Sequence, residues 1–245
     1  MSSDDRTPHG DPIYRHEPRE EGWVAPDMSG SSLEDISDHI EKHVGKIETV
    51  WHEVISDIVH IDVHMVAPTE ERPCYSLITS GMSDLPMTQP EGVEGDFRFL
   101  ELMLSLPADW PMTQKDFANE SHYWPVRWLK MLARLPHEYK TWLWWGHSVP
   151  NGDPAAALAP RCPFTGFVLF QPMTVSTEFW RLETKEGKSI YFLSPFPVYS
   201  EEMEMKLSEG ADALLEKLEQ NKTTEVVDLK RPNVAGPKSR WNFGQ

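Results

Sequence analysis

Residues 97–106 (FRFLELMLSL) carry apolar side chains at nearly every position, with Glu101 as the only acidic one. Successive side chains of a strand point to opposite faces, so a strand apolar on both faces needs a covering layer on each. This segment therefore predicts a layered fold with residues 97–106 near the centre of a sheet. A carboxyl group buried there would have a raised pKa. It would also need hydrogen-bond donors or a cation such as Arg127 or Arg134.

The remaining segments fill in the sheet and its cover. Val59, Ile61, Val63 and Met65 alternate with His60, Asp62 and His64, the period of a half-buried strand over 59–66. Residues 73–79, 142–149, 166–170 and 188–196 read as further strands. The Lys185-Glu186-Gly187 turn suggests a hairpin between 179–184 and 188–196. Helical spacing marks 33–44, with Ser32 as cap and Gly45 as stop. It also marks 125–135, opening on Pro125, a short piece at 137–141, and 200–220 with a break at Gly210. Strands and helices come in runs without βαβ alternation. The expected class is α+β: one domain with a central mixed, largely antiparallel twisted sheet flanked by helices.

The ends differ from this body. Residues 1–30 hold seven acids, three arginines and four prolines but few large apolar side chains. They read as a disordered tail whose Trp23 and Val24 can dock loosely on the body. The domain is expected over 31–234, and 235–245 as a C-terminal tail.

Charge and cysteine content narrow the function classes. The net charge is −16, from 39 acidic and 23 basic residues. That balance opposes binding to a phosphate backbone or an anionic membrane and permits a basic protein partner. No run of about 18 apolar residues spans a bilayer, and the N-terminus MSSDDRTPHGDP is not a secretory signal. Cys74 and Cys162 cannot form a disulfide framework. They read as buried free thiols of a cytoplasmic protein.

Catalytic patterns are sparse. There is no GxSxG, P-loop, dinucleotide-type GxGxxG or HExxH. His60, Asp62 and His64 project from one strand face and could approach a metal, which would make the chain a metal-dependent hydrolase. A polar, partly solvated strand face explains the same three residues. His137 and Glu138 are adjacent on a helix and need not meet. No cofactor is expected, and no enzyme. The residues that stand out for binding are Trp142, Trp144 and Trp145, a type enriched at interface centres. So does the acid-rich run of Glu201, Glu202, Glu204, Glu209, Asp212, Glu216 and Glu219 against Lys206 and Lys217.

The stretches LPHEYKTWLWWGHSVPNGDP (135–154), SGMSD (80–84), LELMLSLPADWP (100–111) and EEMEMKLSEGADALLEKLE (201–219) resemble the Suppressor of fused domain family. The likeness runs over about 33–234 and is greatest to its bacterial single-domain members. It implies a protein-binding module. Animal members hold a transcription-factor peptide as an added strand between two domains, of which this chain matches only the first. Bacterial members imply an immunity protein that neutralises a cognate toxin, here a basic domain. A regulatory scaffold that sequesters a peptide by strand addition is the alternative. The resemblance places the partner surface near Gly146 and His147, bordered by the segment from Trp124. With the tryptophans above and Glu201, Glu202, Glu204 and Glu209, these form the expected interface.

Overall fold

A computed structural model describes residues 5–16, 19, 22–26 and 31–236. Its framework is a mixed eight-stranded sheet: β1 (Ile47–Trp51), β2 (Asp62–Val66), β3 (Cys74–Ser80), β4 (Leu100–Pro107), β5 (Ser148–Pro150), β6 (Gly166–Phe170), β7 (Arg181–Glu183) and β8 (Ser189–Val198). The order is β1-β2-β3-β4-β8-β6-β5, and β7 also pairs with β8. Every pairing is antiparallel except β4 with β8. Among the described residues, four α-helices cover it: α1 (Leu33–His43), α2 (Glu120–Glu138), α3 (Ser200–Glu209) and α4 (Ala211–Gln220). The α+β class and the central place of β4 are as the sequence predicts.

The parallel seam ends for a chemical reason. Tyr191 N–H donates to the Phe99 carbonyl at 3.1 Å, so the backbone N–H of alternate residues from 191 faces β4. At 195 and 197 those positions are prolines, which have no N–H to give. Pairing with β4 accordingly stops at Leu193, and β8 continues against β6 from Ser194 to Val198.

The two faces bury different sets. On one, α2 lays Trp124, Trp128, Leu129 and Leu132 over Val63, Leu77, Leu102, Leu104, Phe167 and Leu169. On the other, Ile36, Ile40 and Val44 of the α1 segment pack on Ile78, Met103 and Phe192. Leu214 and Leu218 of α4 pack on Val168, Phe196 and Val198. Cys74 and Cys162 are buried free thiols. Among the described residues, no helix is long and apolar enough to cross a membrane.

Several local expectations change. The half-buried strand over 59–66 begins at Asp62 and is buried at all five positions, because α1 covers the face that holds His64. The helices expected at 125–135 and 137–141 are one helix, α2, capped by the Asn119 side chain, which accepts from Ser121 N–H at 3.0 Å. Pro125 and Pro136 lie inside it. Each internal proline costs about 3 kcal/mol. Burying one large apolar side chain returns roughly 1.5–3 kcal/mol, and α2 buries several. The strand expected over 142–149 reduces to Ser148–Pro150. The helix at 200 is capped by Tyr199, whose N–H donates to Glu202 at 3.1 Å, rather than by Ser200.

The segment expected to be a tail falls partly outside the described residues. Its described portions touch the body. His9 N–H donates to the Leu207 carbonyl at 3.1 Å. Asp11 pairs with Lys206 at 3.3 Å, and Trp23 Nε1–H donates to the Ser56 carbonyl at 2.8 Å. Residues 237–245 lie outside the description.

Candidate partner-binding surface

Trp142–His147 form a loop leading into β5, not a strand. The chain turns at Gly146 (φ +74), whose N–H donates to the Leu169 carbonyl at 2.8 Å. His147 N–H donates to the Trp144 carbonyl at 3.1 Å. A Cβ at position 146 would sit 3.1 Å from Ala211 Cβ, so the turn is fitted closely against α4. The turn sends the three tryptophans in different directions. Trp142 meets His147 edge-on at 4.8 Å. Trp144 stacks on Phe97 at 4.1 Å, and Trp145 meets Phe170 at 5.9 Å. Trp142 is buried, whereas Trp144 and Trp145 keep part of their surface.

Trp124 belongs to the core, fully enclosed between Trp110 and Phe167. His147 is held neutral. Burial, followed by the charge of Lys206, pushes its pKa down to about 4. Asp11 of the N-terminal segment pairs with that lysine, so this region is lined by chain on several sides.

The acid-rich helices divide sharply. Glu202 is completely buried and forms a two-pronged pair with Arg231, at 2.6 and 2.5 Å. It also accepts from Val234 N–H at 2.9 Å. Arg231 lies over the rings of Phe164 and Tyr199, 4.8 and 4.9 Å from their centroids. This pair fastens the chain after β8 and is part of the fold. Glu201, Glu204, Glu209, Asp212, Glu216 and Glu219 are exposed, with Lys217 as the exposed cation among them, since Lys206 is buried. Six acids thus stand against one lysine on the outer surface of α3 and α4.

The histidine-rich segment is rearranged too. His64 does not join His60 and Asp62 in a ligand cluster; its Nε2 bonds Ser80 Oγ at 2.9 Å. Its neighbours do not bring it to a metal, and burial lowers its pKa to about 4. In its place stands His52, just after β1, with Nδ1 2.8 Å from Asp62. His60 Nε2 lies 2.9 Å from the other Asp62 oxygen. The missed signal was the hairpin: the register Val50↔His64 and Trp51↔Val63 carries on to His52 opposite Asp62.

The family model described as Suppressor of fused protein (SUFU) matches residues 57–232. The chain belongs to the Suppressor of fused family. Solved structures of the family share its fold. A SUFU homolog from Neisseria gonorrhoeae FA 1090 superposes with a TM-score of 0.60 at 16% identity, over 83% of this chain and 97% of that one. A chain of the Sufu–Fu complex gives 0.59 at 15% identity, over 84% and 93%. Drosophila Suppressor of Fused gives 0.56 at 14% identity, over 90% of this chain but 52% of its own length. Among curated proteins, none matches. The Suppressor of fused match covers residues 57–232, so the segment before Asp57, including β1 and His52, lies outside the matched region.

Proposed function

We propose that this protein is a non-enzymatic binding module that acts as a cytoplasmic immunity protein, neutralising a cognate basic toxin domain by covering it. The observation that carries this reading is the exposed face of α3 and α4, where six acids meet one lysine. Such a face steers a basic partner and occupies the surface that the partner would turn toward an anionic target. The Sufu–Fu complex, whose fold this chain shares, supports protein binding as the general mode. Trp144 and Trp145 lend part-exposed aromatic surface nearby.

The test is calorimetry of the purified chain against toxin-like domains encoded beside its gene, at two salt concentrations. Nanomolar binding that weakens with salt is expected. The triple change Glu204→Lys, Glu209→Lys, Asp212→Lys should weaken it at least tenfold with an unchanged circular dichroism spectrum. Equal affinity in that variant would remove the acidic face from the interface. No binding to any adjacent product would sink the immunity reading.

A regulatory scaffold that adds a peptide strand is favoured by one observation: β5, which follows directly on Gly146 and His147, is the last strand of the sheet. Strand addition needs such an edge. A peptide protected there from hydrogen exchange would decide for it, and unchanged exchange at Ser148 and Val149 would decide against.

A further inference from the structure

Asp62 is a buried carboxylate held between two imidazoles. Its side chain is 5% exposed, against 65% for His52 and 24% for His60. The far nitrogen of His60, Nδ1, bonds Ser56 Oγ at 2.7 Å. Asp62 also accepts the Glu53 N–H at 3.2 Å. One ligand atom from each of His52, His60 and Asp62 lies within 4.8 Å of the other two.

We propose that His52, His60 and Asp62 form a site for a divalent transition-metal ion, zinc by its ligand chemistry. Two imidazoles and one carboxylate are a common three-ligand zinc set, with bonds of about 2.0–2.2 Å and a fourth position for water. The three atoms already lie within 4.8 Å of one another, and His52, the most exposed of the three, has the most room to adjust toward that spacing. The open position then faces solvent on the His52 side.

The surroundings suit an ion as well as they suit the present hydrogen bonds. When His60 Nε2 binds metal, its proton resides on Nδ1 and is donated to Ser56 Oγ. That is the outer hydrogen bond that orients ligating histidines. Asp62 keeps the Glu53 N–H, which fixes the carboxylate. Glu53 itself is engaged by Arg134 at 2.6 Å and so does not compete for the ion. Lys130 donates to the Trp51 carbonyl at 3.1 Å and adds positive charge nearby, which moderates the affinity. The ion would tie the end of β1 to the start of β2. It would thereby anchor the intervening loop, whose Val54 and Ile55 are 97% and 82% exposed. This site is independent of the acidic face and of the immunity reading.

The experiment uses the full chain, stripped with chelator and titrated with zinc chloride by calorimetry, then with cobalt(II) while the visible spectrum is recorded. One equivalent of zinc, a raised melting temperature and the intense cobalt bands of a four-coordinate site are expected. His52→Ala removes an exposed ring and should weaken zinc binding at least tenfold with an unchanged circular dichroism spectrum. Ser56→Ala should weaken it by roughly 10–100-fold, the usual effect of losing an outer-shell partner. His43→Ala, outside the cluster, should leave it unchanged. Failure to bind zinc at micromolar concentration, or wild-type affinity in His52→Ala, would overturn the proposal.

Discussion

At the residue scale, two buried carboxyl groups face opposite circumstances. Glu202 has an arginine; Glu101 does not. Arg127 and Arg134, its candidate partners in the sequence, pair instead with Glu120 and Glu53. Glu101 is satisfied by hydroxyls and an amide: Thr79 Oγ1 at 2.6 Å, Ser83 Oγ at 2.7 Å and Ser83 N–H at 2.9 Å. Burial pushes its pKa from 4.5 up to about 7. Between those values the folded protein keeps a proton that the unfolded chain has released, so stability falls as pH rises from 4.5 to 7. The ceiling on that loss is about 3 kcal/mol. His64 and His147 act in the opposite sense, because their lowered pKa values cost stability as pH falls from 6.5 toward 4. The difference between wild type and Glu101→Gln therefore isolates the carboxyl. Urea unfolding from pH 5 to 8 should show the variant gaining on wild type as pH rises; a constant difference would place the Glu101 pKa outside that window. Arg231→Ala leaves Glu202 buried without its cation and should cost roughly 3–5 kcal/mol in the same assay. A loss below 1 kcal/mol would mean that water reaches Glu202.

At the element scale, legibility followed locality. β4 was legible because a segment with apolar residues at seven of ten positions, on both faces of a strand, has few alternatives, and the break between α3 and α4 was legible from Gly210 (φ +96). β1 was not, since five residues with a mixed burial pattern carry no clear period. With β1 unseen, His52 could not be placed beside Asp62, and the sequence pointed to His64 instead. The tryptophan loop was misjudged for a related reason. Period-two spacing at Trp142 and Trp144 suggests a strand, but the left-handed turn at Gly146 is tied to β6 through its N–H bond to the Leu169 carbonyl, a non-local contact. The acidic helices were read correctly in charge and incorrectly in one member, because burial of Glu202 depends on Arg231, which lies 29 positions away. Gly146→Ala should destabilise the protein by about 1–2 kcal/mol through the unfavourable φ alone. Adding Ala211→Gly should relieve the 3.1 Å contact without restoring wild-type stability. Full restoration would assign the whole effect to crowding.

At the scale of the whole molecule, the sheet is two half-sheets joined by β4 and β8. The joint consists of Leu100↔Tyr191, Glu101↔Phe192 and Leu102↔Leu193, partners about ninety residues apart in the chain. On a ribosome adding roughly 5–20 residues per second, β4 is made several seconds before the strand that will cover its edge. During that interval the newborn chain presents an open edge whose side chains are apolar on both faces, the kind of surface that aggregates. Nascent chains stalled before β8 has emerged should recruit chaperones more strongly than chains stalled after Val198, as measured by crosslinking on purified ribosomes. Equal recruitment would mean that the first half-sheet stays unformed until its partner arrives. The parallel seam that centres the finished fold is thus also what makes its synthesis hazardous.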